Sequence, residues 1–355
     1  MTLNFGRQPR VQTVPELAAT NGVVYGVTSA LGTIGGTAAI LGPGVYVHGA
    51  IKPPPKGSTV PQFIPDGNPI DLNNVAFQNP TGQPGTYIFL GGFHANGAGT
   101  QVTLDQGTYV LANYQDYHVV DINKGAVVTD KGGGAYGELF VVTKPDYMPD
   151  PSSPISPTNP VLLPQNSSYT VQPLGVDGQP LGPQAPNTSF TDLADPNSSN
   201  FGEVHMYADK GDGSIILTGL KGRSSCTPDV CGTPGPDLSS INQQLYLYQP
   251  FLMWSDRRNN GVANSSLGTA RNAVKPCAGE KCAAIETEAQ AFQNLNGVIY
   301  QPAGGHIEMA GSGETVTVPA QIITGGLYVR NQRVTFAPPT GSAPYMQNSF
   351  VSLVR

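Results

Sequence analysis

The chain has 355 residues, of which 44 are Gly and 33 Pro, while Asp, Glu, Lys and Arg together make up only 12%. So few charges leave little material for exposed helix faces, which excludes a helical bundle and argues for an elongated all-β fold. A net charge of −6, with Lys and Arg scattered, offers no basic face to hold a phosphate backbone, so nucleic acid is excluded as a partner.

Residues 1–21 read as an extended lead-in, and no secretory leader stands out. The apolar stretch from Gly22 to Val47 is broken by Gly26, Gly32, Gly35, Gly36, Gly42, Pro43 and Gly44, so it is not a spanning helix. What it carries instead is an echo. GVVYG from Gly22 returns as GVYVHG from Gly44, and GTYIFLGG from Gly85 returns as GTYVLAN from Gly107, both at the same step along the chain. Equal steps from two separate pairs point to a repeating layer rather than a sandwich, whose strands follow about every 8 to 12 residues without echo. The fold expected is therefore a single-stranded parallel β-helix, a β-solenoid of about 22 residues per coil. Tyr87 and Tyr109 then occupy equivalent places, as do Tyr25 and Tyr46 after a slip of one position. The interval from Gly44 to Gly85 is close to twice the step and corresponds to two coils. Further strands are expected at Val119–Ile122, Ala126–Thr129 and Glu138–Thr143, which completes a first block of coils over 22–143.

Residues 144–202 break the pattern with dense Pro, Ser, Asn and Gly, and only Ser168–Leu174 resembles a strand. A loop or flap inserted at a coil corner is expected there, because closure entropy grows slowly with loop length, and a linker is the alternative. A second block of coils covers 203–355. It opens with strands at Glu203–Tyr207 and Ser214–Thr218 and includes the apolar run Leu245–Trp254. Its final part places strand-length runs at Val298–Tyr300, Ile307–Met309, Thr315–Val318, Gln321–Thr324, Leu327–Val329 and Val334–Phe336. Val298 and Ile322, like Ile307 and Leu327, are separated by close to the same step, again the spacing of stacked coils. The one helical window is Glu286–Leu295.

Two excursions, Lys221–Ser240 and Asn259–Asn296, carry the four cysteines as CxxxxC pairs, Cys226 with Cys231 and Cys277 with Cys282. Disulfides are the favoured reading, which implies an oxidising compartment; metal ligation and free thiols stay open, as do all three connectivities.

Laid out this way, the chain resembles the C-terminal extracytoplasmic region of TadG-like proteins of the bacterial tight-adherence pilus-assembly system. GPGVYVHG (42–49), FLMWSDRRN (251–259), LNGVIYQPAGGHIEMAGSG (295–313) and AQIITGGLYVRNQRVTF (320–336) carry the resemblance. It implies a parallel β-helix in the cell envelope or outside the cell, with a structural or adhesive role and cell-surface or pilus proteins, or glycans, as partners. Members of that family carry an N-terminal membrane segment that is not read in this sequence, and the long Pro-rich and cysteine-bearing excursions are particular to this chain.

Parallel β-helices also host polysaccharide lyases and glycosidases. The best local cluster for such chemistry is Asp116, His118 and Asp121, although period-two alternation puts Asp121 on the face opposite the other two. Asp256 reads as hydrogen-bonding its turn and Arg257 and Arg258 as surface partners, the alternative being a lyase site with Arg as base beside a calcium, and His306 with Glu308 reads as a coil-edge pair. Most of the 15 Tyr residues read as stacked in the core, the alternative being sugar-stacking faces. No GxSxG, HExxH, P-loop or dinucleotide motif occurs, and the glycine-rich stretches 91–99 and 130–137 do not open helices. NxS/T sites at Asn166, Asn187, Asn197 and Asn264 fall in the excursions. The expectation is a non-enzymatic surface module without metal or cofactor. A carbohydrate-active enzyme and a filament subunit that associates through its coil ends are the alternatives.

Overall fold

The computed structural model describes residues 9, 11–114, 118–131, 137–148, 161–195, 201–206, 214–219, 251–256, 258, 283–288, 294–301, 306–310, 313, 315–324, 326–331 and 333–337. Within them the chain is all-β apart from one helix, and its sheets are mostly parallel. Most of the strands fall into three series.

The first series comprises β1 (Val24–Val27), β3 (Gly44–Lys52), β7 (Gly85–Leu90), β10 (Gly107–Ala112), β13 (Glu138–Thr143), β18 (Phe251–Ser255), β20 (Leu295–Gln301) and β23 (Ala320–Thr324), each parallel to the next. The second is a seven-stranded sheet: β5 (Ile70–Asp71), β8 (Phe93–Asn96), β11 (His118–Asn123), β16 (Glu203–Met206), β19 (Ala283–Glu288), β21 (His306–Ala310) and β24 (Leu327–Arg330). The third comprises β2 (Ala39–Leu41), β6 (Asn74–Phe77), β9 (Gln101–Leu104), β12 (Val127–Asp130) and β17 (Ser214–Thr218), and it joins the first where Leu217 pairs with Leu295 at the start of β20. β22 (Thr315–Val318) pairs in parallel with β25 (Arg333–Phe336).

Register is what the echo foretells. Tyr87 lies beside Tyr109 and Tyr25 beside Tyr46. Tyr109 in turn lies beside Phe140 and Met253 follows it, while Tyr46 continues into Phe89. The rings stack along these rows, with centroids 4.9 Å apart for Tyr87 and Tyr109, 5.2 Å for Tyr109 and Phe140, and 5.4 Å for Tyr46 and Phe89. Offset stacks of this kind contribute about 0.5–1.5 kcal/mol per pair beyond area burial. Phe77 closes the group from the third series, edge-on to Tyr87, Phe89 and Tyr109. Buried phenols need acceptors, and Tyr109 donates to the Asp105 carbonyl at 2.7 Å while Tyr46 donates to that of Gly42. Burial pushes both hydroxyls well above the ordinary tyrosine range.

One apolar core cluster, from Val27 to Ala320, draws buried residues from all three series. The first series is buried on its other face too, which is why GTYIFL and GTYVLA are apolar almost throughout instead of alternating. A second core covers that face: Val45, Ile88, Val110 and Val141 pack under Leu17, Tyr147, Leu163 and Phe190. Residues 161–195 pack into this second core and contain the strand expected at Ser168–Leu174. Their strand β14 (Ser168–Leu174) pairs in parallel with β1, and β15 (Ala185–Ser189) runs antiparallel outside it, so this mid-chain insertion covers the N-terminal edge of the first series.

Four expectations are corrected. The lead-in is not extended throughout, since Val14–Asn21 forms a helix, α1, with Thr13 and Glu16 in a reciprocal capping box and Pro15 in its first turn. The window at Glu286–Leu295 is not helical where it is described: Ala283–Glu288 is strand β19, and Leu295 begins β20. The stretch between Gly44 and Gly85 is one layer and not two, because β3 pairs directly with β7 and the extra length forms a hairpin of β3 with antiparallel β4 (Gln62–Pro65). Val298 lies beside Gln321, one position short of Ile322, whereas Ile307 does lie beside Leu327.

Candidate metal centre

On the second sheet one register row is polar. Asp71 lies beside His94, His94 beside Asp121, Asp121 beside His205, and the row continues through Glu286 and Glu308 to Tyr328. Neighbouring positions such as Phe93, Ala95, Ile122, Val204 and Met206 point into the core, which leaves the part of the row from Asp71 to His205 on the sheet's other face. Acids and imidazoles stacked at strand spacing are close enough to pair, and they do.

The centre of this row is drawn together by an irregularity. In a regular strand His118 and Asp121 point to opposite faces, as the sequence alone suggests. The register of β11 against β16 shifts between His118 and Val120. That bulge absorbs one residue, so Val119 and Val120 both go into the core while His118 and Asp121 share the outer face. The backbone around the bulge is tightly enclosed by two glycines in the left-handed region. Gly92 has φ +87°, and a Cβ there would sit 1.9 Å from the Val119 oxygen; Gly202 has φ +67°, and its Cβ would come within 2.8 Å of the Val119 Cβ. Only glycine fits either place.

The result is one compact group. Nδ1 of His205 is 2.5 Å from Oδ1 of Asp121, and the His118 and His205 rings are stacked 4.7 Å apart at 7°. Asn96 donates its amide to the other carboxylate oxygen, Oδ2, at 3.0 Å. His94 Nε2 lies 3.2 Å from the His118 carbonyl, and its Nδ1 is 3.9 Å from Asp71. Burial alone raises the Asp121 pKa, but the hydrogen bond and charge of His205, the Asn96 amide and the charge of His118 outweigh it, holding the carboxyl at about 2. Asp121 is thus a carboxylate at any physiological pH. His118, Asp121 and His205 each offer one ligand atom, all within 4.8 Å of one another, and among the described residues they form the single His/Cys/Asp/Glu group able to hold a metal ion. His205 lies far from Asp121 in sequence, with the whole insertion between them, a pairing that inspection of the sequence misses. Its signal is VHM at 204–206, an imidazole flanked by two core positions on a strand aligned with β11.

The other candidate residues fall as follows. Asp116, Arg257, Asn197, Asn264 and the cysteines Cys226, Cys231, Cys277 and Cys282 lie outside the described residues, as does the side chain of His306. Asp256 does bond its turn, accepting from the Arg258 backbone N–H at 2.9 Å, and it is completely buried, accepting also from Thr143 at 2.8 Å and from the Arg258 side chain at 2.7 and 3.1 Å. Arg258 also reaches Asp146 at 3.0 Å, and it shares the Phe201 ring with Lys144. Asp256 and Asp146 raise the Arg258 pKa against the effect of burial, so this is a permanently charged structural tie between β18 and the start of the insertion. Asn166 and Asn187 are turn and strand residues with positive φ.

No family model, curated protein or solved structure matches the chain.

Proposed function

We propose that the chain is a single-stranded parallel β-helix, a β-solenoid working as a rigid, non-enzymatic structural or adhesive module outside the cell or in its envelope, of the TadG-like kind. The carrying observation is register. Tyr25 and Tyr46, Tyr87 and Tyr109, and Ile299 and Ile322 are each one repeat apart in sequence and adjacent in space. Successive circuits of the chain add strands to the same series, so the eight strands of the first series span about 34 Å at about 4.8 Å per step. A stack held by apolar cores and ring rows is stiff without any cofactor. The third series presents Ile40, Thr103, Thr129 and Ile216 outward, and the insertion supplies a further surface for partners such as cell-surface or pilus proteins or glycans. Growth into a filament through coil ends is disfavoured on one side, where β14 and β15 occupy the edge that a second copy would need.

The convergence of His118 and Asp121 favours one second reading, a carbohydrate-active site. Among the described residues it supplies a single carboxylate, held ionised, whereas glycoside hydrolysis uses two carboxyl groups about 5–10 Å apart. The two readings separate on a panel of plant, bacterial and animal polysaccharides assayed for reducing ends and unsaturated uronates. The module reading expects no release, and turnover that disappears in Asp121→Asn would overturn it. Placement is checked by protease treatment of intact cells expressing the protein: loss of the chain is expected, and full protection would contradict a surface role.

A further inference from the structure

We propose that His118, Asp121 and His205 bind one divalent transition-metal ion of the zinc class, with Asn96 as the residue that positions the Asp121 carboxylate. Two imidazoles and a carboxylate on adjacent strands form a nitrogen-rich donor set, which suits zinc, nickel or copper and is wrong for calcium or magnesium, both of which want oxygen. Ligand atoms around a tetrahedral zinc sit about 2.0–2.1 Å from the ion, so they are about 3.4 Å from one another. Donors already within 4.8 Å need ring rotations that move them by about 1 Å or less.

The surroundings resemble those of a ligand set rather than of a surface ion pair. The His205 and Asp121 side chains keep only 15% and 12% of their exposure, so solvent does little to screen an ion placed between them. Asn96 engages Oδ2 and thereby leaves Oδ1 directed at the histidines, the kind of outer-shell hydrogen bond that fixes a metal-binding carboxylate. The backbone is equally fixed, since the bulge that turns His118 outward is clamped between Gly92 and Gly202. In the metal-free state the Asp121–His205 hydrogen bond occupies the space, and an ion of charge +2 replaces the proton between them. Three protein ligands leave at least one position for water or a ligand group of a partner. The group lies on the outer face of the second sheet, away from the apolar core that holds the strands together, so the site is an addition to the module.

The test uses the full chain after dialysis against a chelator. Zn2+ titrated calorimetrically is expected to bind one ion tightly, while Mg2+ gives no heat. His118→Asn and His205→Asn are each expected to weaken Zn2+ binding by about 100-fold or more, and Asn96→Ala by about 10- to 100-fold. His48→Asn, at the separate His48–Asp66 pair, is expected to leave binding unchanged. Equal affinity in wild type, His118→Asn and His205→Asn overturns the proposal. Should the histidine variants fail to fold, paramagnetic resonance of Cu2+ on the wild-type chain decides instead: hyperfine coupling to two imidazole nitrogens is expected, and a thiolate-ligated signal or no bound copper overturns it.

Discussion

Gly92 and Gly99 have nearly the same backbone φ, +87° and +88°, and differ in what stands beside them. A methyl group at Gly99 would meet nothing within 4 Å, whereas one at Gly92 would lie 1.9 Å from the Val119 oxygen and 2.7 Å from its carbonyl carbon, on the neighbouring strand of the second sheet. Replacing each by Ala therefore cancels the local cost of a left-handed Ala, about 1–2 kcal/mol, and isolates the contact between layers. Carbon and oxygen need more than about 3 Å, so β8 and β11 must separate by about 1 Å or more at that corner. Such a shift breaks parallel-ladder hydrogen bonds, including those that fix the bulge, at roughly 1 kcal/mol each, and opens the core beside Phe93 and Val120. Gly92→Ala should cost about 3 kcal/mol more than Gly99→Ala, read as the difference in urea midpoint by far-ultraviolet circular dichroism. Equal losses would refute the layer contact.

Three further outcomes follow from the same packing. Tyr109→Phe removes only the hydrogen bond to Asp105 and should cost about 1 kcal/mol in urea unfolding, while Tyr109→Ala also empties the row between Tyr87 and Phe140 and should cost about 3–5 kcal/mol. Arg258→Met leaves Asp256 buried without its guanidinium; calorimetry should show a loss of about 3 kcal/mol, the low end for such pairs because the Arg258 side chain is 43% exposed. Asp121 goes from its ordinary 3.8 to about 2 on folding, so its contribution is complete above pH 3.8 and disappears as pH falls to about 2. Across that window the wild type should lose about 2 kcal/mol more than Asp121→Asn, measured by urea unfolding at each pH, and parallel pH profiles would refute the pairing.

Much of this architecture is legible because stacking repeats a chemical environment. Tyr87 and Tyr109 share one environment and hence one motif, so the echo of GTYIFL in GTYVLA carries the register directly. Variable spacing hides the rest. Phe140 and Met253 are neighbours although the whole insertion and, among the described residues, two further strands lie between them in sequence, and no period survives so long an interval. The helix α1 escapes notice although Thr13 and Glu16 form a capping box, because its short span is too little to show an apolar stripe. Glu286 belongs to a sequence of high helix propensity, AAIETE, yet pairs as strand between β16 and β21, where neighbouring layers outweigh local preference. The site is hidden for a different reason. Alternation separates His118 from Asp121, and only the bulge at Val119, with Gly92 and Gly202 around it, reverses that; such a mismatch is a property of two strands and not of one.

Spin labels on the third series measure the stacked-layer arrangement most directly. Ile40 lies beside Ala76, Ala76 beside Thr103, Thr103 beside Thr129 and Thr129 beside Ile216, which puts four strand spacings between two positions distant in sequence. Both end positions are exposed, at 48% and 43%, and accept labels without disturbing the core. With the native cysteines replaced by Ser, double electron–electron resonance on Ile40→Cys with Ile216→Cys should give a narrow distribution around a Cα separation of about 19 Å, and Ala76→Cys with Ile216→Cys one layer less, about 14 Å. A broad distribution, or one centred beyond about 35 Å, would contradict the stacked arrangement.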